Sequence, residues 1–453
     1  MVVYEYYKKG VWMKAEPGDT VKLVTKKETV AGMLMPSPDE QVVLLKLDSG
    51  YNLGFKKKEI TSLTVLEKKP LSPPTKKEKT GRLQRLNQHF PIISILHTGG
   101  TIASKVDYKT GGVVMQFSPE ELLGMFPELQ QIAVFRSRLI GNMWSQDMRF
   151  SHYNRMAEEV KKELEAGAAG VIIAQGTDTI HYTAAALSFA LENLSKPVLI
   201  VGAQRSSDRG SSDAFLNVVN AAYFIAHSDF GEVAVCMHDT SSDEYAAILP
   251  GTKVMKLHTS RRDAFQPINT TAWARVNYAA REIKYLRKGY TPSGNKKISL
   301  KLFNEKLKVA ILKQHTNMFA EQFLSYQQYD GLVIESTGLG CLPMTKIDDS
   351  TQESEHIAKA IQILIKKGVV VVEAPQTIFG RLNLNVYEDQ RRAQEMGVLG
   401  NGNDMTPATT FIKLAWLLSN YPKPKIKELI TKNLRGEINE RIEYQEEFNS
   451  MWR

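Results

Sequence analysis

The sequence predicts an α/β protein with two such domains in tandem, preceded by a small all-β unit. Three observations carry that prediction. At 453 residues the chain exceeds what one ordinary core organises, so two or three domains are expected. Short β-rich runs at regular spacing occupy residues 17–67. From Phe90 onward, continuous apolar runs alternate with helical patterns, as strands buried on both faces of a parallel sheet do.

The first unit is assigned residues 1–68. Pro17-Gly18-Asp19 is a turn, followed by the β-rich stretch Val21 to Val30, the break Pro36-Ser37-Pro38-Asp39, the run Gln41 to Leu47 and the turn Asp48-Ser49-Gly50. This spacing suits a small barrel of about five strands, SH3-like in size. Residues 69–88 are assigned to a linker, because KKPLSPPTKKEKT is rich in Pro and Lys and predicts an extended, solvated segment. The first α/β domain is assigned residues 89–285, with strands at Ile92–Leu96, Val171–Ala174, Val198–Val201 and Val233–Met237. Its clearest helix is Tyr153–Ala166, with Gly167 placed to cap it. Polar residues 286–305, with Pro292 and Gly294, read as an interdomain connection. The second domain, 306–453, has strands near Val309–Lys313, Leu332–Ile334 and Val369–Val372, and helices from Pro407 onward.

Composition excludes several classes. Hydrophobic residues make up 43% and charged residues 24%, the balance of a globular protein. No run approaches about 18 consecutive apolar residues, and MVVYEYYKKG lacks a signal-peptide apolar stretch. A cytoplasmic protein with no membrane partner is expected. Cys236 and Cys341, far apart in apolar surroundings, read as reduced core residues. No CxxC pair, HExxH helix or His/carboxylate cluster points to a metal. Of the net charge of +9, +7 falls in residues 1–88, which hold 17 Lys/Arg against 10 Asp/Glu. That asymmetry fits a polyanionic partner as well as it fits a solvated basic surface.

Four segments carry chemistry. His97-Thr98-Gly99-Gly100-Thr101 follows a buried strand directly, at the strand end where ligand sites gather in α/β sheets. The two glycines let backbone N–H groups face a ligand, where they can stabilise an oxyanion; a tight βα turn is the bland alternative. Gly176-Thr177-Asp178-Thr179 closes a second strand and offers a hydroxyl beside a carboxylate, or simply a helix N-cap. Ser145-Gln146-Asp147 is a polar cluster suited to a substrate carboxylate. The fourth, Gly251 to Phe265, contains Lys256.

Together these segments resemble the bacterial-type L-asparaginase family, whose motifs TGGTI, SQD, GTDT and a lysine ahead of a Phe-containing loop occur here in order over residues 90–453. The resemblance implies a two-domain asparaginase-like α/β fold with parallel sheets. By motif, Thr101 matches the nucleophile, and Thr177, Asp178 and Lys256 match a hydrogen-bonded triad. Ser145, Gln146, Asp178 and Gly100 match substrate-binding positions, and Tyr108 matches the tyrosine of a closing loop. A threonine hydroxyl needs a base to take its proton, and lysine serves only when neutral. Either burial neutralises Lys256, or Lys256 and Thr177 relay protons while the lysine stays charged.

The segments from His97 to Asp107, Lys256 to Phe265 and Gly380 to Tyr387, with the leading β unit, are most similar to the D-subunit family of archaeal glutamyl-tRNA(Gln) amidotransferases. That resemblance implies a glutaminase that passes ammonia to an E subunit, which uses ATP and Mg to activate Glu-tRNA(Gln). It implies no cofactor in this chain and a homodimer within a heterotetramer. A free-standing L-asparaginase and a non-catalytic RNA-binding scaffold are the alternatives. Tyr4, Tyr6, Tyr7 and Trp12 offer base stacking or plain packing.

Overall fold

The computed structural model describes residues 4–8, 11–15, 18–35, 37, 41–47, 52–68, 90–99, 104–106, 113–115, 127–205, 212–442 and 444. The turns at Pro17, Pro36 and Asp48–Gly50 and the linker beyond Lys68 lie outside the described residues. So do the side chains of Tyr4, Tyr6, Tyr7 and Trp12, which sit on a hairpin of Tyr4–Lys8 with Val11–Ala15.

The leading unit is one antiparallel sheet of β1 (Thr20–Thr25), β2 (Thr29–Met35), β3 (Val42–Lys46), β4 (Asn52–Lys56) and β5 (Ile60–Glu67), in the order β4-β3-β2-β1-β5. Alternation places Val21 and Leu23 inside, with Lys22 outward, against Leu34, Leu45 and Phe55. The stretch Val21 to Val30 is not one strand. The Thr25 hydroxyl accepts the N–H groups of Lys27 and Glu28 (3.2 and 3.1 Å) and turns the chain back on itself. Asp19 is buried and takes an ion pair from Lys68 at 3.1 Å.

The larger α/β domain is built on eight strands: β6 (Ile92–His97), β7 (Val134–Leu139), β8 (Gly170–Ala174), β9 (Val198–Val201), β10 (Val233–His238) and β11 (Ala246–Pro250), then β14 and β15 beyond a hairpin. The hairpin pairs β12 (Val254–Lys256) with β13 (Phe265–Pro267); β14 is Ala274–Asn277 and β15 Glu282–Tyr285. The order is β7-β6-β8-β9-β10-β11-β14-β15. The first five are parallel, as the apolar runs of β6, β8, β9 and β10 predict; β7, at the sheet edge, carries Arg136 and Arg138 and is largely exposed. The last three are antiparallel, so the sheet is mixed. Helices α1 (Phe150–Glu165) and α2 (Ile180–Ala190) cover one face and α3 (Ala214–His227) the other. His152 Nδ1 accepts the Arg149 N–H at the start of α1, three residues ahead of the predicted start, and Gly167 ends it at φ +88°.

The second domain has three parallel strands, β16 (Val309–Lys313), β17 (Gly331–Ser336) and β18 (Val370–Pro375), with α4 (Ala320–Leu324), α5 (Gln352–Lys366), α6 (Glu388–Met396), α7 (Pro407–Asn420) and α8 (Lys423–Leu429). The segment 286–305 is more than a polar connection. Ile298 and Phe303 are buried, Phe303 stacks on Phe150 at 5.3 Å, and Asn154 clamps the Phe303 backbone from both sides (2.8 and 2.9 Å). One apolar cluster runs across both domains, with Phe189 of α2 against Trp416 of α7 at 5.4 Å. Each such buried side chain contributes about 1.5–3 kcal/mol. Both cysteines are free thiols; Cys236 is fully buried, whereas Cys341 is only half-buried.

Two buried ion pairs and one lone buried acid stand out. Lys253 pairs with Asp404 at 3.0 Å and Lys413 with Glu437 at 2.6 Å. Burial holds both ammonium groups below the usual lysine range, although the carboxylates oppose it. Glu373 on β18 has no such partner. Its oxygens make no well-formed hydrogen bond among the described residues, the Ser336 hydroxyl giving only partial relief, and burial pushes its carboxyl up to about 8 from an ordinary 4.5. The unfolded chain releases this proton near pH 4.5 and the folded protein keeps it to about 8. The stability linked to the neutral acid is therefore complete below the lower value and lost as pH rises through the higher one. Glu373→Gln is expected to remove that alkaline loss. Its Tm should exceed the parent's by several degrees near pH 9 and match it near pH 5, at about 2–4 °C per kcal/mol. Identical pH profiles of Tm for the two proteins would place the titration elsewhere.

Candidate active site

The ends of β6, β8 and β9 converge on one region, as the carboxyl ends of parallel strands do. Thr98 is fastened to the end of β8: its N–H and hydroxyl both donate to the Ala174 carbonyl, at 3.0 and 3.2 Å. Gly99 turns at φ +99°, a conformation that glycine adopts without cost. Gly100, Thr101 and Tyr108 lie outside the described residues, so the chain is placed up to the residue two short of Thr101.

The described part of the site is a three-way junction. Thr177-Asp178-Thr179 makes one 3-10 turn ahead of α2, and Ser145-Gln146-Asp147 makes another. The two turns lock together: Ser145 Oγ accepts the Asp178 N–H at 3.3 Å, and the Thr179 hydroxyl donates to the Ser145 carbonyl at 2.7 Å. Lys256 reaches in from the β12–β13 hairpin. Its Nζ donates to Thr177 Oγ1 at 2.8 Å and to Asp178 Oδ1 at 2.9 Å. The lysine side chain is 10% exposed and the carboxylate 65%, so the pair joins a buried amine to a solvated acid. Gln146 lies on the same turn as Ser145, with its side chain exposed to solvent beside the junction.

The hairpin that delivers Lys256 is held at both ends. Lys256 faces Phe265 across the strands, the Leu257 N–H donates to the Ala264 carbonyl at 2.7 Å, and Arg261 grips Asp263 through two bonds of 2.8 and 2.7 Å. At its base, Lys253 is tied to Asp404 and Asn269 to the Gly380 and Asp404 carbonyls (3.1 and 2.9 Å). The second domain thus fixes the lysine of the first.

Three further residues join the site that motif reasoning missed. The Thr177 hydroxyl, accepting from Lys256, donates to Gln204 Oε1 at 3.4 Å. Gln204 is itself anchored by the buried Asp213, whose carboxylate accepts the Gln204 and Arg205 N–H groups at 2.9–3.1 Å. Gly202-Ala203-Gln204 follows β9 just as the other segments follow β6 and β8, so strand-end position was the available signal. His181 stands behind Lys256; burial first, then the lysine charge, lower it to about 4 and keep it neutral. Among the described residues no group of three His, Cys, Asp or Glu side chains is placed to hold a metal.

Comparison with known proteins bears on family and fold. The Asparaginase, N-terminal model matches residues 92–289 and the Glutaminase/Asparaginase C-terminal domain model 308–429, while the GatD N-terminal domain model matches 15–66. The D subunit of glutamyl-tRNA(Gln) amidotransferase from Methanococcus maripaludis is 42% identical over 433 residues, covering 94% of this chain and 98% of that protein; its Pyrococcus furiosus counterpart is 40% identical, covering 97% and 98%. The chain belongs to the amidotransferase D-subunit family. The thermostable L-asparaginase from Thermococcus kodakarensis is similar to this chain in fold, at TM-score 0.66 and 28% identity over 77% of this chain and 100% of that one. L-asparaginase I from Vibrio cholerae is alike in fold, also at TM-score 0.66, with 23% identity over 77% of this chain and 99% of that one.

Gly202 gives the D-subunit site a steric test. A Cβ there would lie 2.7 Å from Thr177 Cγ2, 2.9 Å from Ile180 Cδ1 and 3.0 Å from the Gln175 carbonyl. Gly202→Ala is expected to push Thr177 off Lys256 and lower amide hydrolysis by about a hundredfold. The measurement is the rate of ammonia release, with circular dichroism confirming the fold; a folded variant of parental activity would show that Thr177 placement does not matter.

Proposed function

We propose that the chain is the glutaminase subunit of a tRNA-dependent amidotransferase. It hydrolyses L-glutamine and supplies ammonia to an E subunit, which converts Glu-tRNA(Gln) to Gln-tRNA(Gln) with ATP and Mg. The observation that carries this reading is the joining, in one chain, of the Lys256–Thr177–Asp178 junction to the leading β unit. In this reading the protein is cytoplasmic, needs no cofactor of its own and dimerises within a heterotetramer. No helix among the described residues is long and apolar enough to cross a membrane.

The chemistry follows from the junction. The Thr101 hydroxyl oxygen attacks the side-chain carboxamide carbon, and its proton leaves through the Thr177–Lys256 relay. Lys256 donates to both Thr177 and Asp178, so the three side chains form one hydrogen-bonded path along which the Thr101 proton passes toward the departing nitrogen. The C–N bond then breaks, nitrogen takes up a proton and ammonia departs, leaving an ester on Thr101. Water attacks that ester, releasing glutamate and restoring the threonine. Backbone N–H groups around Gly100 stabilise the oxyanion in both steps. Ser145, Gln146 and Asp178 hold the substrate's α-carboxylate and α-ammonium groups, and Tyr108 closes the loop over them.

Thr101→Val is expected to cut ammonia release from glutamine on the order of a thousandfold or more, and Lys256→Met similarly, both in folded protein. Parental rates for the first would remove the nucleophile, and for the second would make the junction structural. Substrate choice is tested separately, since one methylene is worth only about 1–3 kcal/mol. Ammonia release from Gln should rise when E subunit and Glu-tRNA(Gln) are added. Strong hydrolysis of Asn by the chain alone would instead make it a free-standing asparaginase.

A further inference from the structure

At the opposite end of the large sheet from the junction, the fold carries a half-open cavity of about 420 Å³ that glutamine hydrolysis does not use. Its floor includes Val233, the first residue of β10, and Gly251, just past antiparallel β11. That volume falls in the range of small-molecule pockets. One wall carries a cation in a fixed plane: the Arg287 guanidinium lies 3.3 Å over the Trp273 indole and donates to the Thr270 hydroxyl. Stacking of this kind keeps the N–H edges of arginine oriented for a carboxylate or phosphate. Lys296, exposed at the mouth, adds a second positive charge.

The other two charges of the lining serve the wall itself. Its one carboxylate, Glu232, accepts the Thr291 N–H at 2.6 Å and hydroxyl at 2.9 Å. Arg435 is tied to Glu192 at 3.2 Å and to the Ser188 carbonyl at 3.1 Å, which makes it wall rather than ligand donor. We propose that this cavity binds a small anion-bearing molecule, a carboxylate or a phosphate ester, through Arg287 and Lys296. An occupant would also bear on Gly251 and Thr252, which lead directly into Lys253 and the hairpin of Lys256.

The test is calorimetric titration of the full-length chain at low salt with inorganic phosphate, AMP and citrate as probes. Saturable binding of at least one is expected, weakened about tenfold by Arg287→Gln and by Lys296→Ala, as loss of a charge-assisted hydrogen bond implies. Lys296 is exposed, so its replacement reports even if Arg287→Gln does not fold. Binding of phosphate and AMP without citrate assigns a phosphate ester; the reverse assigns a carboxylate. Lys256→Met, which alters the junction alone, should bind as the parent does, so the result stands apart from the glutaminase reading. No saturable binding, parental affinity in Lys296→Ala, or loss of binding in Lys256→Met would overturn the proposal.

Discussion

The junction depends on one buried ion pair between the two domains. Lys253 and Asp404, both shielded from water and 3.0 Å apart, join the base of the β12–β13 hairpin to the loop ahead of α7. Each charge is costly to bury alone and tolerable only with the other, so the pair fixes the hairpin in one place. Three residues further on, Lys256 has only to extend its side chain to meet Thr177 and Asp178. The Asp404 carboxylate also accepts the Asn439 N–H at 3.2 Å, and its carbonyl receives Asn269, so the same residue organises the chain on three sides.

The second layer of order lies in the turns. Ser145 spends its hydroxyl on the Asp178 N–H and its carbonyl on Thr179, which makes two separate loops behave as one rigid piece. Gln204, held by Asp213, closes the remaining side of Thr177. A hydroxyl with both a donor and an acceptor assigned has little rotational freedom, so the Thr177 oxygen is fixed beside Lys256.

Much of this was legible in the sequence. Apolar runs without alternation revealed the parallel strands β6, β8, β9 and β10, and the motif at the end of β8 marked Thr177 and Asp178, which meet Lys256. The antiparallel strands β11, β14 and β15 were not legible, because strand direction is set by pairing rather than by local pattern. The buried residues of segment 286–305 were hidden for a related reason: Lys288, Lys296 and Lys297 face outward, and Ile298 and Phe303 are too widely spaced to announce that they are buried. His181 and Asp213 escaped because their importance is a matter of burial and of distant partners. Neither has a spacing that marks it.

The aromatic cluster that runs from Phe189 to Trp416 also bears on ancestry. Because the core is continuous across both domains, neither can drift in shape without the other. A chimera that exchanges only the first domain between relatives would inherit mismatched knobs and hollows along α2 and α7. The unit that evolution can move intact is the pair of domains together, and the leading β unit, with its own separate core, is the part free to be gained or lost.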